Sequence, residues 1–414
     1  MRGVPVPAAP VVVVGIGADG WPGLAAPARK ALTDAETVIG GPRQLALLPD
    51  DVTARRCAWP SPLRPAVPGL LAEHDGRRIA VLASGDPMFY GIGRALTEVL
   101  GAERLRVLPH PSSASYACAR LGWPLDETDV VSLVGRPLPS LAAALHDGRR
   151  LLVLCADAGT PADIAALLRD RGFGPSRIRV LEQLGSGGRE RVLDGTADTW
   201  AHPPGDPLNL VALDCLAALG TLRLGLVPGL PDDAYEHDGQ LTKRHIRATV
   251  LAALAPAPGE LLWDIGGGSG SVAIEWLRSH RACRALTVER DPARAARIAH
   301  NAATLGVPAL RVITGPAPAA LDGLPRPDAV FLGGGLTEPG LLDACWNALR
   351  PGGRIVANTV TLESEAVLAG HYARHGGELV RISVSHAAPV GGFTGWRQAM
   401  PVTQWAATKP PPAR

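Results

Sequence analysis

The stretch LLWDIGGGSGSVAIEW, residues 261–276, predicts a buried strand that turns directly into a helix. Apolar residues lead up to Asp264, four glycines and one serine follow, and a helical pattern then begins. Glycine lets the backbone turn tightly and approach a ligand closely, while the helix N-terminus offers free amides and a positive dipole end. The spacing is G-x-G-x-G, because position 271 is Ser271, and it differs from the G-x-G-x-x-G form of dinucleotide-binding turns.

Two later residues lie at or after the ends of the next two predicted strands, at positions where they could contact the same ligand as this loop. The strand ALTVE ends in Glu289, where an acid can accept hydrogen bonds from both hydroxyls of a ribose. Ala317, in the turn after the third strand, is small enough to lie against an adenine. The combination resembles the cofactor site of Rossmann-like S-adenosylmethionine methyltransferases, whereas the simpler alternative is an ordinary turn with a surface glutamate. The resemblance implies cofactor contacts at Gly266, Gly267, Gly268, Ser269, Gly270, Glu289 and Ala317.

Composition narrows the class of protein. The 414 residues exceed what one core usually serves, so two domains of about 200 residues are expected. The hydrophobic share of 46% and the charged share of 19% are typical of a soluble α/β protein, and a net charge of +2 argues against a nucleic-acid-binding face. The six cysteines are widely spaced without a C-x-x-C pair, which excludes a disulfide framework or zinc knuckle. Without a long apolar run, we expect a cytoplasmic protein without a membrane segment.

Alternating strands and helices divide the chain in two. From residue 11 to residue 215 short apolar runs alternate with helical patterns, and RIRVLEQL and ERVLDGT form a predicted hairpin across GSGG. The predicted domains cover residues 10–218 and 235–407. The linker between them, residues 219–234, lacks the hydrophobic periodicity of a helix or a strand. The second alternation predicts a doubly wound parallel sheet, closed by two strands in ELVRISVS and WRQAMPVTQWAA. We expect the ending KPPPAR to be disordered.

The other glycine loop, VVVVGIGADG at residues 11–20, has the G-x-G-x-x-G spacing of nicotinamide or flavin enzymes. The acid at the usual distance, Glu36, precedes the second strand, so no ribose-binding carboxylate stands at the strand end. With LASGDPMFYGIG (82–93) and PHPSSASYACARLGW (109–123), the region instead resembles the class III tetrapyrrole methylases. That resemblance implies two α/β halves with the methyl donor in the cleft between them. It implies donor contacts at Gly85, Asp86, Ser112 and Ser113, with Gly17 facing the substrate.

The whole chain resembles the precorrin-6Y C5,15-methyltransferase (decarboxylating) family of cobalamin biosynthesis, an N-terminal class III domain followed by a class I Rossmann-like domain. YEHDGQLTKRHIRA (235–248), VANTVTLESEA (356–366) and GGFTGWRQAMPVTQW (391–405) carry this resemblance. Gly267 stands where the family more often has Ala, a departure expected to be harmless. Val134 stands where a His is expected, which leaves open the role of that imidazole in the N-terminal half.

The family implies two methyl transfers from S-adenosyl-L-methionine to precorrin-6Y (precorrin-6B), giving precorrin-8X. The N-terminal domain would methylate carbon 5, and the C-terminal domain would methylate carbon 15 and remove the ring C acetate carboxyl as carbon dioxide. The conjugated macrocycle can serve as the electron sink for decarboxylation, so we predict neither pyridoxal phosphate nor a metal. No catalytic acid or base is identified. Whether the substrate contains cobalt and which methylation comes first also stay open.

Substrate carboxylates require cations around the pocket. The candidates are Arg136 and Arg397 together with Lys243, Arg244 and Arg247, which follow Thr242, a donor-binding position in the family; each could equally be surface charge. Gly334, in FLGGGL, and Asn358, at a strand end, are further substrate candidates, and Glu363 could contribute there or pair within its helix. His237 and His245 could move a proton or be structural.

Two alternatives remain from the sequence. The C-terminal domain could methylate RNA or protein beside a non-catalytic N-terminal binding module, although the near-neutral charge and the lack of an Asn-Pro-Pro-Tyr motif speak against it. The first glycine loop leaves an oxidoreductase as the other alternative. We expect a small-molecule tetrapyrrole substrate, no nucleic acid and no membrane, and a homo-oligomer with an undetermined number of chains.

Overall fold

A computed structural model describes residues 10–411 of the protein. The described chain forms two compact units. The first unit comprises the chain up to Arg136 together with Asp147–Leu219, and the second comprises Pro137–His146 and the chain from Gly220 onward. Residues 137–146, which include a 3-10 helix at Leu138–Ala144, thus leave the first unit although they lie inside the predicted N-terminal domain.

The first unit begins with a parallel sheet. Its strands are β1 (Val11–Ile16), β2 (Thr37–Gly40), β3 (Arg55–Ala58), β4 (Ile79–Ser84) and β5 (Leu105–Leu108), in the order β3-β2-β4-β1-β5. The accompanying helices are α1 (Ala26–Asp34), α2 (Pro42–Leu45), α3 (Leu63–Glu73) and α4 (Gly93–Leu100). Strand β1 is apolar at nearly every position because it has core on both faces: Val14 packs in one cluster and Val13 in another.

A second, mixed sheet completes the first unit. Helix α5 (Ser113–Leu121) precedes strands β6 (Asp129–Ser132) and β7 (Arg150–Leu154), and helix α6 (Thr160–Asp170) precedes β8 (Arg177–Glu182), β9 (Arg191–Thr196) and β10 (Asn209–Asp214). The strand order is β6-β7-β10-β8-β9, with β6 and β7 parallel and the other pairs antiparallel. The predicted hairpin is confirmed: Glu182 lies opposite Arg191 across its turn. Two α/β halves therefore form this unit, as predicted.

The second unit is a seven-stranded sheet with helices on both faces. Its strands are β11 (Leu261–Ile265), β12 (Arg284–Glu289), β13 (Arg311–Thr314), β14 (Ala329–Leu332), β15 (Arg354–Thr359), β16 (Glu378–Ile382) and β19 (Val402–Thr408), ordered β13-β12-β11-β14-β15-β19-β16. Its helices are α7 (Arg244–Leu254), α8 (Ser271–Ser279), α9 (Pro292–Thr304), α10 (Leu341–Ala348) and α11 (Leu362–His375). The first five strands of the order are parallel, and β19 is antiparallel to both of its neighbours, β15 and β16.

The closing region differs from the prediction. WRQAMPVTQWAA is divided at Pro401, and its first residues belong to a separate hairpin of β17 (Ser385–Val390) and β18 (Phe393–Gln398). Of the expected disordered ending, residues 412–414 lie outside the described residues. Lys409 is ordered, contrary to the prediction, because its ammonium group donates to the carbonyls of Trp346, Asn347 and Leu349 at the end of α10.

The predicted linker, apart from Leu219, belongs to the second unit. The amides of Gly229 and Leu230 donate to the carboxylate of Glu275 on α8, at 2.6 and 3.0 Å, and Leu230 is buried in the core. Tyr235 donates its hydroxyl to the same carboxylate at 3.0 Å. The chain is therefore fixed well before α7 begins. Over the described range, no helix is both long and apolar enough to span a bilayer.

Candidate functional site

Three motifs of the first unit meet where neighbouring parallel strands end. Gly17 follows β1, Gly85 and Asp86 follow β4, and Ser112 follows β5. The amide of Gly85 donates to the carbonyl of Ile16 at 3.0 Å. The carboxyl edge of such a sheet is where ligands bind in this architecture.

The glycines here are required by close backbone contacts. A Cβ atom on Gly15 would lie 2.0 Å from the carbonyl oxygen of Gly85. Gly85 itself has φ +59°, and a Cβ atom there would lie 3.1 Å from Cα of Ser112. A side chain at either position would push the three motifs apart.

A cavity of about 1120 Å³ opens beside these motifs, within the first unit. It is large enough for a macrocycle. All the candidates predicted for the N-terminal half line it, together with the unexpected valine: Gly17, Gly85, Asp86, Ser112, Ser113, Val134 and Arg136.

Two of the donor candidates also have local structural roles. The hydroxyl of Ser112 caps helix α5, accepting from the amide of Ser115 at 3.1 Å. The Asp86 carboxylate accepts from the amide of Met88 at 2.9 Å and so shapes its own turn. One carboxylate oxygen of Asp86 keeps its full capacity for a ligand, whereas Ser112 offers mainly its backbone.

A buried pair that no sequence motif indicated lies beneath the first glycine loop. The Nε2 atom of His110 lies 3.2 Å from the Asp19 carboxylate, and the imidazole is 93% buried. A Cβ atom on Gly17 would lie 2.7 Å from Cε1 of His110. Tyr116 lines the cavity nearby, where burial and the Asp19 charge raise the pKa of its phenol. No motif links Asp19 to His110 across the intervening chain, so only the fold brings them together.

In the second unit, the glycine loop between β11 and α8 has the conformation that its composition predicts. Gly266, Gly268 and Gly270 have φ of +73°, +60° and +77°. The amides of Gly266 and Gly267 donate to the carbonyl of Val288 on the neighbouring strand, at 2.9 and 3.2 Å. Helix α8 then begins at Ser271 with its first amides facing the loop.

Glu289 ties the loop to the end of β12. One carboxylate oxygen accepts from the amide of Gly268 at 2.9 Å, and the other accepts from the amide of Asp291 at 3.0 Å. The amide of Gly315 donates to the carbonyl of Glu289 at 3.0 Å, which brings the β13 turn alongside. Ala317, in that turn, packs against the core that faces it. Loop, acid and third-strand turn are therefore adjacent.

Gly267 is tightly enclosed in this protein. A Cβ atom at this position would lie 2.2 Å from Oγ1 of Thr287 and 2.9 Å from Cδ1 of Ile298. The Thr287 hydroxyl donates to the carbonyl of Asp264 at 3.1 Å. The space that an alanine methyl would need is thus occupied by Thr287.

Two residues beside this loop, Asp264 and Asn301, were not among the candidates, whereas Ser269 was. Asp264, the penultimate residue of β11, is fully buried, and burial, then the Glu289 charge, raises the pKa of its carboxyl to about 7. Asn301 on α9 donates to the carbonyls of Ser269 and Glu236, both at 2.9 Å. Ser269 is buried, and its hydroxyl has no partner among the described residues. The sequence signal for Asp264 was its place in the loop motif, whereas Asn301 carried none.

The substrate candidates of the second unit lie on several elements. Lys243 and Arg244 are exposed at the start of α7. Arg397 on β18 lies opposite His386, whose ring centroid is 5.7 Å from that of His245, next to Arg244. The hairpin therefore places Arg397 near the two cations of α7.

The remaining candidates lie at or near the carboxyl edge of the sheet. Gly334 follows β14 beside Gly266, where a Cβ atom on Gly266 would lie 3.6 Å from the Gly334 nitrogen. Asn358 in β15 is buried. Its side-chain oxygen Oδ1 accepts from the side-chain amide of Gln404 at 3.0 Å, while its Nδ2 has no partner in the described chain. Glu363 is exposed in the first turn of α11, and His237 accepts from the amide of Gly239 at 3.1 Å.

The prediction that Arg247 binds substrate is wrong. Its side chain is fully buried, and its guanidinium donates to the Glu275 carboxylate at 2.5 Å, to Asp232 at 3.3 Å and to the carbonyls of Thr242 and Leu230. Four of its N–H donors are thus taken by the protein itself. The Thr242 backbone is thereby fixed, which leaves its side chain as the part able to contact a donor.

Comparison with known proteins agrees with this geometry. Residues 10–201 match the family described as Tetrapyrrole (Corrin/Porphyrin) Methylases, and residues 233–409 match a Precorrin methyltransferase domain. The chain is 49% identical over 399 residues to a precorrin-6Y C(5,15)-methyltransferase [decarboxylating] from Sinorhizobium sp, covering 96% of each chain. It is also 49% identical over 403 residues to the protein of that name from Mycobacterium tuberculosis (strain CDC 1551 / Oshkosh), covering 96% of this chain and 100% of the relative.

Among solved structures, the C-terminal domain of precorrin-6Y C5,15-methyltransferase from Rhodobacter capsulatus is 51% identical, with a TM-score of 0.43. That comparison covers 45% of this chain and 100% of the other. The full-length relatives extend the similarity over both units. The chain therefore belongs to the precorrin-6Y C5,15-methyltransferase (decarboxylating) family.

Proposed function

We propose that this protein uses S-adenosyl-L-methionine to methylate precorrin-6Y (precorrin-6B) at carbons 5 and 15 and to decarboxylate the ring C acetate, giving precorrin-8X. The first unit would methylate carbon 5, and the second would methylate carbon 15 and release carbon dioxide. The observation that carries this proposal is the presence of two separate glycine-lined sites in one chain, one at the carboxyl edge of each unit's parallel sheet. The names of the full-length relatives support the same pair of reactions.

The residues of the second unit fit the proposed donor. Each Glu289 oxygen accepts one backbone amide and retains capacity for a ribose hydroxyl. Ser269 offers a buried hydroxyl that is unpartnered in the described chain, and the glycines allow close approach of a ligand to the backbone. Bound there, the donor would supply an electrophilic methyl group on a sulfonium. The carboxyl of Asp264 lies behind the same loop and could balance positive charge.

In the first unit, the carboxylate of Asp86 and the backbone around Gly85, Ser112 and Ser113 would hold the donor, with Gly17 on the substrate side. These groups line one cavity whose volume accommodates both ligands. Methyl transfer is an in-line displacement, so alignment and exclusion of water are the main tasks of the protein. The enamine-like carbons of the macrocycle are the nucleophiles, and the macrocycle itself can take up the electron pair left by carbon dioxide.

The full-length protein tests the proposal directly. Incubated with S-adenosylmethionine and precorrin-6B, it should yield a product that has gained two methyl groups and lost one carboxyl by mass. The variant Glu289→Gln should lower donor affinity in the second unit by about ten-fold, because an amide replaces a charged acceptor, and the product should lack the carbon 15 methyl group first. Loss of both methylations to the same degree in Glu289→Gln would contradict the two-site assignment.

We propose further that the protein works in the cytoplasm as a homo-oligomer on a small-molecule tetrapyrrole, without nucleic acid. The net charge of +2 and the six free thiols support this setting. Light scattering coupled to size exclusion would report the number of chains, and a monomer at micromolar concentration would refute the oligomer.

A further inference from the structure

We propose that Arg43, Arg64 and Arg136 form a carboxylate-binding set that orients the polycarboxylate substrate in the cavity of the first unit. The inference rests on the proposed function and names the groups that would recognise its substrate at carbon 5. Only Arg136 was a candidate from the sequence; Arg43 and Arg64 were not.

The charges that line this cavity are unbalanced. Its lining contains three guanidinium groups, those of Arg43, Arg64 and Arg136, and one acid, Asp86. None of the three arginines has a carboxylate oxygen within 4.0 Å in the described part of the chain. Elsewhere in the same unit arginines have such partners, as in the Arg120–Glu190 pair at 2.9 Å. The protein neutralises this positive charge only in part, through the charge of Asp206 on Arg43 and that of Glu98 on Arg64. The remaining charge complements a ligand with several carboxylates.

Arg43 is held at the strand end that leads into the donor loop. Its Nη2 atom donates to the hydroxyl of Ser84 at 2.9 Å, and Gln44 donates to the same oxygen at 2.9 Å. Ser84 is the last residue of β4 and directly precedes Gly85. Burial lowers the pKa of the Arg43 guanidinium, and the charge of Asp206 offsets this in part. The side chain keeps exposed surface at the cavity, where a substrate carboxylate would pair with it.

Arg136 is positioned by an aromatic ring. Its guanidinium carbon lies 5.2 Å from the ring centroid of Tyr90, a cation–π distance. Tyr90 has φ +54°, which is uncommon for a tyrosine, and its hydroxyl donates to the carbonyl of Val130 at 2.9 Å. The ring is thus fixed at both ends, and we assign Tyr90 as a positioning residue for Arg136.

The three cations come from separate parts of the sequence. Arg43 lies on α2, Arg64 lies in the first turn of α3, and Arg136 lies in the loop after β6. Such a distribution matches a broad ring with carboxylates on its periphery better than it matches a single phosphate or carboxylate group.

The test uses the full-length protein with S-adenosylmethionine and precorrin-6B, and follows both products by mass. Arg43→Gln, Arg64→Gln and Arg136→Gln should each raise KM for carbon 5 methylation by about five- to ten-fold, with a small change in kcat. Carbon 15 methylation and decarboxylation should continue at the normal rate, so a product with one new methyl group should accumulate. Arg43→Lys and Arg136→Lys keep the charge and should recover part of the affinity.

Ionic strength and Tyr90 supply independent readouts. Raising salt from about 0.05 M to about 0.5 M should raise KM for carbon 5 methylation in the natural protein much more than in the triple Gln variant. Tyr90→Leu should raise KM as Arg136→Gln does, and the two changes together should be no worse than either alone. Arg77→Gln, an exposed turn residue outside the cavity lining, is the matched control.

A triple Gln variant whose KM stays within about two-fold of the natural value would overturn the inference, as would an equal rise for both methylations. Failure of the natural protein to methylate at all would instead refute the proposed function. The two failures are therefore distinguishable in one series of measurements.

Discussion

Gly267 and Thr287 share one small space between the glycine loop and β12. Because a Cβ atom at position 267 would lie 2.2 Å from the Thr287 hydroxyl oxygen, the two positions are coupled. The glycine at position 267, where the family more often has alanine, therefore fits the space that Thr287 leaves in this chain.

Gly267→Ala should lower the free energy of unfolding of the second unit by about 1–3 kcal/mol, because the methyl group overpacks a closed site. Thr287→Ala should cost about 1 kcal/mol through its lost hydrogen bond. The double variant should be more stable than Gly267→Ala alone, since the smaller side chain makes room. Denaturant unfolding of all three variants measures this coupling, and strictly additive effects would show that the clash is relieved some other way.

The buried carboxyl of Asp264 makes the stability of the second unit depend on pH. Its pKa is about 7 in the folded protein, raised chiefly by burial, against about 3.9 in an unfolded chain. Between these values the folded state holds a proton that the unfolded state lacks. The contribution of the protonated Asp264 carboxyl to the free energy of unfolding is therefore complete below about pH 4. It declines by at most about 1.4 kcal/mol per pH unit as pH rises toward 7, and above that pH it is lost.

Asp264→Asn should remove this dependence. The stability of the natural protein relative to the variant should fall between pH 4.5 and pH 7 and stay level above, as measured by hydrogen exchange of the β11 amides with a common intrinsic-rate correction. A difference between the two proteins that is constant over this range would mean that Asp264 titrates as an ordinary exposed acid.

For single residues, the sequence predicted those that a local backbone motif requires and missed those whose role depends on residues far away in the chain. The glycines, Asp86 and Glu289 stand in local motifs whose chemistry can be interpreted without a fold. Arg247 shows the opposite case: it looked like a surface cation, yet Glu275, 28 residues away, neutralises it in the core. No local pattern distinguishes such an arginine from one that faces a ligand.

Among the elements, the segment before α7 is fixed to α9 and to the glycine loop by one side chain. Asn301 exchanges two hydrogen bonds with the backbone of Glu236 and donates a third to Ser269. Asp238 strengthens the attachment through Arg294 and Arg297, and these hydrogen bonds hold the pKa of its carboxyl well below the usual range. The segment therefore covers the loop as a fixed part of the unit.

Asn301→Ala should lower the free energy of unfolding by about 1–3 kcal/mol and weaken donor binding in the second unit, because three backbone groups, among them the buried carbonyl of Ser269, lose their partner. Isothermal titration with S-adenosylmethionine and denaturant unfolding measure the two effects. His300→Ala, on the exposed side of the same helix, removes only a surface pair and should change stability by less than about 0.5 kcal/mol. Equal effects of the two variants would assign Asn301 no special role.

Helices and strands were predicted correctly where the hydrophobic periodicity was strong, and incorrectly where tertiary contacts determine the local structure. The strands β11 and β12, the helix α8 and the hairpin of β8 and β9 were all anticipated from their patterns. The short strands β3 and β5 were missed, since four residues with partial burial show little alternation. The closing hairpin was merged with β19 because both segments favour extended structure, and only the break at Pro401 separates them.

For the whole molecule, two units with separate cores explain why two glycine loops occur in one chain. Each loop lies at the carboxyl edge of its own sheet, so under the proposed function each unit would hold its own methyl donor. The order of the units followed from the motifs. That residues 137–146 belong with the second unit could not be predicted, since a short 3-10 helix between β6 and β7 resembles any surface connection.

The carboxylate of Glu275 also controls how fast backbone amides of the connecting segment exchange their hydrogens with solvent. Its hydrogen bonds to the amides of Gly229 and Leu230 mean that these hydrogens can be exchanged with solvent only when the buried ion pair opens. We expect them to exchange at the rate of the core of the second unit, although they lie in a segment without regular structure, while the amides just before them exchange within seconds. The boundary between chain that moves freely and chain that unfolds only with its domain should therefore fall at residue 229, and Glu275→Gln should move it toward α7.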